Sequence, residues 1–293
     1  MSDAQRDLEE VIRVESPARE AWRMFIGNNS AIAGLVIFGL VILTTFIGPL
    51  IYTVDPFEIV WAPLTPPGEQ GFLLGTDYLG RDLVAGLLIG GQATLAVGAA
   101  AAALTITIGI TVGALAGYYR GWVDEALMRV TEFFQVLPPL LLAMVLVMLF
   151  QPTLTTIAFA IGIVSWTSAA RLTRAEFLRI RELEYVKAAR SISASNARII
   201  WRVILPNAAP PLIVSAALSV GTAILFEAGL SFLGLSDANV MSWGKLIGDN
   251  RPVILGAWWP VTFPGIAIFL TVLAVSLIGD GLNDALNPKL RRR

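Results

Sequence analysis

The sequence contains neither cysteine nor histidine. That excludes disulfides, thiolate chemistry, histidine-ligated metal sites and every histidine-based triad or proton relay. Lysine is nearly missing as well: Lys187, Lys245 and Lys289 are the only three. None stands in a Gly-x-x-x-x-Gly-Lys-Ser/Thr frame, so ATP has no P-loop here. No nucleophile elbow, metal-binding helix or pair of buried carboxylates suggests hydrolysis. The chain is therefore expected to be no enzyme and to hold no metal or cofactor. Charge is scarce too, at 15% of residues against about 25% in soluble proteins. A net charge of -1 offers nothing to nucleic acid. What abounds is apolar: 56% of 293 residues. In water such a chain would expose large apolar patches, and a bilayer is the simpler solvent.

A span requires about 20 largely apolar residues, because about 30 Å of hydrocarbon is crossed at 1.5 Å per residue. Six stretches qualify: Ala31–Tyr52, Ala93–Tyr118, Thr131–Phe150, Leu154–Ala170, Pro206–Leu233 and Val261–Ile278. The expectation is an all-α membrane protein of about six transmembrane helices. Thirty mostly polar residues precede the first run, which argues against a cleaved signal peptide. Residues 1–30 read as a polar N-terminal segment, 31–281 as the membrane domain and 282–293 as a tail.

With six spans, both termini share a side. On that side lie the arginines of the N-terminal tail, Arg120 and Arg129, the eight cations from Arg171 to Arg202, and Lys289 with Arg291, Arg292 and Arg293. They number eighteen of the twenty-one Lys and Arg residues; only Arg81, Lys245 and Arg251 fall on the other side. This asymmetry assigns both termini to the cytoplasm.

Residues 171–206 form the most informative connection. Leu172, Phe177, Ile180, Leu183, Val186 and Ala189 recur at helical spacing with charges between them. Ser193 and Ser195 read as N-caps of a second short helix, and Pro206 as the start of the fifth span. Two short helices held between spans make a rigid cytoplasmic protrusion able to receive force from a soluble partner. The alternative is a basic loop lying on anionic lipid. In the second span, Gly109, Gly113 and Gly117 form a small-residue stripe that serves either packing within the chain or contact with another subunit.

Three polar residues stand out at membrane depth. Glu227, late in the fifth span, is either an anchor inside the bundle or a residue of a translocation path or gate. Glu132 and Gln135 lie early in the third span near the cytoplasm, and Pro138-Pro139 after them should kink the helix where it lines a cavity. Asp280 and Asp284, at the end of the sixth span, read as solvated ion-pair partners of the cytoplasmic arginines. Outside, the loop from Thr53 to Gly91 is the largest connection, Arg81 and Asp82 are placed to tie it to the second span, and Trp258 with Trp259 reads as an interfacial pair.

Glu184-Tyr-Val-Lys-Ala-Ala-Arg190, followed by Arg198-Ile-Ile-Trp-Arg-Val-Ile-Leu-Pro-Asn207, resembles the EAA loop of permease subunits in binding-protein-dependent ABC importers. Ala188, Ala189, Leu205 and Pro206 match at the family spacing. Lys187 replaces the family Glu, with Glu184 one turn earlier; Ser193 replaces Gly and Val203 replaces Ile. The segment Leu74-Gly75-Thr76-Asp77-Tyr-Leu-Gly80-Arg81-Asp82 resembles the dipeptide, oligopeptide and nickel branch. So do Glu227–Leu235, Ser242-Trp-Gly244 and Gly279–Pro288, and the C-type subunit is the nearer match.

The resemblance implies the type I importer permease fold in a bacterial or archaeal inner membrane. It implies a homologous B-type permease partner, two cytoplasmic ATPases that carry ATP and Mg, and an extracytoplasmic solute-binding protein docking on the outer loops. Glu184, Tyr185, Lys187, Ala188, Ala189, Arg190, Ser193, Leu205 and Pro206 are the expected ATPase-coupling positions. Di- or oligopeptides are the leading substrate, with nickel chelates, glutathione or oligosaccharides as alternatives. An ion-coupled secondary transporter is the competing class, which would need ionisable residues near the midplane in repeated halves.

Overall fold

The computed structural model describes residues 17–286. The readings that rest on Arg6, Arg13, Pro288, Lys289 and Arg291–Arg293 lie outside the described residues. Apart from two isolated β-bridges, Ile59–Arg81 and Thr76–Asp82, the regular structure among the described residues is helical. In chain order the helices are α1 (Pro17–Gly27), α2 (Asn29–Ile51), α3 (Leu83–Tyr119), α4 (Gly121–Val136) and α5 (Pro139–Phe150). They continue as α6 (Leu154–Ile180), α7 (Glu184–Ser191), α8 (Asn196–Phe232), α9 (Trp243–Asn250) and α10 (Trp259–Leu286).

Five of these, α2, α3, α6, α8 and α10, are long and apolar enough to cross a bilayer. Helix α2 leaves Leu40, Phe46, Leu50 and Ile51 half or more exposed, a surface that only hydrocarbon covers cheaply. The third expected span is broken. Leu137 is extended because the following Pro138 crowds an αR conformation, and α4 and α5 meet at 88°. Helix α5 has 12 residues, about 18 Å, so it covers only part of the bilayer. The expected kink at Pro138-Pro139 is a right-angle turn.

Helices α3 and α6 are the most extensively packed pair. Their seam is the glycine stripe. A Cβ on Gly109 would lie 2.5 Å from Ala169 Cβ, on Gly113 2.3 Å from the Ala170 carbonyl oxygen, and on Gly117 2.6 Å from Phe177 Cβ. The stripe therefore serves packing within the chain. This seam also corrects the fourth span, expected to end at Ala170: Thr173, Phe177 and Ile180 are buried against α3, so the helix runs ten residues further.

A second correction concerns Pro206. The helix is continuous from Asn196 to Phe232. Proline removes a backbone donor and its ring crowds a carbonyl one turn back. Here a π-turn over Ile199–Ile204 absorbs the misfit, and Asn207 Nδ2 donates to the Val203 carbonyl at 2.7 Å. The segment around residue 196 is thus the N-terminal end of the fifth span. At the N-terminus, α1 packs Phe25 against Ala31 and Ala285, joining part of the segment expected to be a polar tail to the bundle. Asp284 accepts from Asn28 Nδ2 at 3.1 Å, tying α10 to the cap of α2.

Candidate coupling loop and translocation cleft

The loop between α6 and α8 is seated on the bundle by one face. Val186 is fully buried and meets Tyr118, Phe177, Ile180, Ile199, Ile200 and Ile204, with Ala189 half-buried beside them. Tyr118 Oη donates to Asn196 Oδ1 at 2.8 Å, and the Arg190 guanidinium lies 5.3 Å from the Tyr118 ring centroid. Arg181 Nη1 donates to the Tyr118 carbonyl. The loop thus moves with α3, α6 and α8. Its other face is open: Glu184, Tyr185, Lys187, Ala188 and Ile192 are exposed. Leu205 is half-buried and Pro206 exposed near the N-terminal end of α8.

Charge in the loop centres on Glu182, which Arg120 and Arg181 approach at 3.6 Å and Lys187 at 4.0 Å. Arg120, Lys187 and Glu182 are exposed, so their pairs contribute little, while Arg181 is largely buried. Lys187 is therefore met by Glu182, not by Glu184 one turn earlier. Ser195 caps α8 as expected, accepting from Arg198 N at 3.4 Å. Ser193 does not cap. It takes φ +58°, the left-handed conformation in which glycine is at ease, and its N–H returns to the Arg190 carbonyl at 2.9 Å. The serine makes the bend itself.

Glu227 sits inside the bundle, away from any cleft. Its Oε1 accepts from Ser231 Oγ at 2.8 Å and from Ser242 Oγ at 2.7 Å, joining α8 to the start of α9. Close approach of the two helices is set by Gly244, where a Cβ would lie 2.8 Å from Ala228 Cα. Glu132 and Gln135, in contrast, face a cavity of about 380 Å³ under the α4–α5 turn, with Met128, Thr131, Arg171 and Arg174. Arg174 is held by Asp124 through two bonds of 2.6 and 2.7 Å, and Arg171 Nη1 donates to Gln135 Oε1 at 3.1 Å. A second cavity of about 380 Å³ opens between Leu172, α8 and Asn283, walled by Ser215, Ser219 and Thr222. Consecutive residues of α6, Arg171 and Leu172, line the one and the other. Arg171 escaped the sequence reading as a cleft residue because its charge counted only toward topology.

The outer loop is ordered by its own motif. Gly75 and Gly80 have φ of +80° and +81°, and each backs so closely onto a carbonyl (of Thr65 and Trp61) that a Cβ would not fit. Thr76 Oγ1 accepts from Thr65 N and donates to the Ala62 carbonyl. Asp77 Oδ1 accepts from Leu79 N and Arg81 N, both at 2.8 Å. Burial pushes the Asp77 carboxyl above the ordinary carboxylate range, against the pull of those two N–H groups and of Arg81. Asp82 caps α3 through Ala85 N and accepts from Tyr52 Oη. Arg81 stacks over Phe57 at 5.3 Å. Trp259, read as interfacial, is buried and donates to the Thr76 carbonyl at 3.1 Å, so it anchors this loop; Trp258 is the exposed one.

Comparison with known proteins agrees with this architecture. Residues 109–292 match the model of the binding-protein-dependent transport system inner membrane component. Residues 16–67 match the N-terminal TM domain of oligopeptide transport permease C. The di/tripeptide transport system permease protein DppC of Pseudomonas aeruginosa is 40% identical over 94% of this chain and 93% of its own. The glutathione transport system permease protein GsiD of Pectobacterium atrosepticum is 36% identical over 95% and 93%. Among solved structures, the MetNI methionine ABC transporter in an inward-facing conformation superposes with a TM-score of 0.54 at 18% identity, covering 68% of this chain and 94% of that one. This multi-pass inner-membrane chain belongs to the family of binding-protein-dependent transport system inner membrane components.

Proposed function

We propose that the chain is one permease half of an ATP-driven importer of short peptides, paired with a homologous permease and served by two ATPases and an extracytoplasmic binding protein. Both termini and the 181–195 loop lie in the cytoplasm on this reading, as the arginine distribution requires. Peptide substrates are favoured by the relatives, most of whose names specify di-, tri- or oligopeptides. ATP and Mg belong to the partner subunits. The chain supplies the passage and the mechanical contact.

The observation that carries the reading is the two-faced loop. Val186 and Ala189 clamp it to three spanning helices, while Tyr185, Ala188 and Ile192 remain uncovered on its far side. A segment clamped in this way transmits displacement to its helices without absorbing it. The exposed face has the size and apolar character for a socket on a soluble partner. The test is Ala188→Arg, which alters the open face and leaves the clamp alone. Ala189→Arg is the less clean variant, because Ala189 faces the bundle. In the reconstituted importer, Ala188→Arg is expected to assemble its two permeases, lose co-purifying ATPase and stop ATP-dependent peptide uptake. Normal ATPase retention with coupled uptake would refute the role given to the loop.

A further inference from the structure

The cavity under the α4–α5 turn has a charge pattern that the bundle does not need. Arg174 is saturated by Asp124. Arg171 is held only by the neutral Gln135 amide, and among the described residues no carboxylate lies within ion-pair distance of it. Glu132 meets Arg129 at 3.3 Å, an exposed i,i+3 pair that competes weakly with a better partner. Glu132 and Gln135 are one turn apart on the same side of α4, so their side chains are roughly 5–6 Å apart at the Cβ atoms. The cavity therefore presents a guanidinium pre-oriented by an amide and, about one helical turn away, a carboxylate.

The second cavity, lined from the next residue, Leu172, has the complementary character. Ser215, Ser219 and Thr222 line it at i, i+4 and i+7. Ser219 and Thr222 satisfy their hydroxyls on α8's own carbonyls, at 2.8 and 3.2 Å. That wall carries no charge and makes no demand on what lies against it. Chemically varied peptides share the amide backbone and two charged ends, an α-ammonium and an α-carboxylate, and at roughly 3.3–3.6 Å per residue a dipeptide separates those ends by about 7 Å. The cavity volume of about 380 Å³ falls in the range of small-ligand pockets.

We propose that this cavity is a peptide-terminus site at the inner end of the passage. Arg171, steadied by Gln135, receives the peptide carboxylate through charge-assisted hydrogen bonds. Glu132 receives the ammonium, and the side chains lie along the Ser215–Thr222 wall. Such a site selects zwitterions of the right length and ignores side-chain identity. It rests on the peptide-importer reading above.

The missing cysteines supply the test. Ser168 is exposed on α6, three and four residues before Arg171 and Leu172, and Ser168→Cys places a single thiol in this chain. The full importer, with reactive thiols removed from its partners, is reconstituted with the binding protein, and maleimide labelling of this chain is followed. Dialanine at millimolar concentration is expected to slow labelling several-fold. Dialanine amide should give no protection, Arg171→Gln should abolish it, and Arg171→Lys should keep part of it. Dialanine uptake should fall about tenfold in Arg171→Gln, the scale of one lost charged hydrogen bond. Equal protection by the amide, or undiminished protection in Arg171→Gln, overturns the site. So does labelling that responds to anionic phospholipid and not to dipeptide, which would make Arg171 a headgroup contact. Wild-type vesicles that import another solute but no dialanine would instead overturn the peptide reading itself.

Discussion

Replacing Gly113 by Ala tests the seam on which the 181–195 loop is mounted. The new Cβ would fall 2.3 Å from the Ala170 carbonyl oxygen and 2.6 Å from Thr173 Cβ. Ordinary contact begins near 3.4 Å, so α3 and α6 must part by about 1 Å. The obstructing oxygen is backbone, and no rotamer change relieves it. Overpacking of this kind costs about 1–3 kcal/mol. Alanine also stabilises any helix interior by about 1 kcal/mol over glycine, and that gain would mask part of the loss. Gly39→Ala provides the reference: it carries the same propensity gain, but its Cβ meets nothing within 4 Å. At about 2–4 °C per kcal/mol, Gly113→Ala should unfold about 2–12 °C below Gly39→Ala in thermal scans of the solubilised importer. Because α6 bears both Arg171 and the start of the loop, uptake per ATP hydrolysed should fall in Gly113→Ala alone. Equal unfolding temperatures would refute the reasoning, since they would mean that the two helices are not held at glycine distance.

Ser193→Gly should stabilise the loop by about 0.5–1 kcal/mol, the left-handed penalty of about 1–2 kcal/mol less the entropy that glycine adds to the unfolded chain. Slower amide hydrogen exchange at Ser193's position and Ala194 is the readout, and faster exchange would contradict the bend. In the outer loop, Asp77→Asn should keep the loop, because an amide oxygen still accepts from Leu79 and Arg81. Asp77→Ala should cost about 1–3 kcal/mol per orphaned N–H, seen as protease cleavage between residues 55 and 80. The Asp77 carboxyl is raised in the folded loop, so the charged form is the costlier one there. Its contribution should favour the folded loop as pH falls through the folded value and oppose it above; proteolysis that accelerates through this group as pH falls would reverse that sign. Glu227→Gln, which retains an acceptor for Ser231 and Ser242, should assemble and transport normally. Glu227→Leu should lower stability by about 1–3 kcal/mol, and a transport defect in the Gln variant despite normal assembly would return Glu227 to the path.

The long apolar runs were legible because the bilayer imposes one length on every span, and the eighteen-to-three arginine and lysine bias orders them without reference to packing. What escaped the sequence is whatever one helix decides for another. Arg171 and Arg174 read as loop residues because a charged residue near the end of an apolar run normally ends it. Yet Phe177 and Ile180 fill the groove left by Gly117, and the helix continues through the charges. The segment Gly121–Val136 mixes Asp124, Glu125, Arg129 and Glu132 with Trp122, Val130 and Phe133, a pattern equally suited to a loop, a span end or a helix turned across the cleft. The bond between Arg174 and Asp124 and the ring contact of Phe134 with Trp166 at 5.5 Å decide among them.

Polar residues at membrane depth read as constrained, but sequence does not say by what. Glu227 and Glu132 look alike in a hydropathy profile. Glu227 is 1% exposed, its Oε1 held by Ser231 on its own helix and by Ser242 at the start of α9, whereas Glu132 faces an open cavity with Arg171. A carboxylate enclosed by the bundle has no opening toward a solute, even though its Oε2 is left without a partner. Glu132 has only its exposed pair with Arg129, which competes weakly with a better partner. Access, more than charge or depth, therefore separates the two carboxylates: Glu227 is enclosed, and Glu132, Gln135 and Arg171 line a cavity.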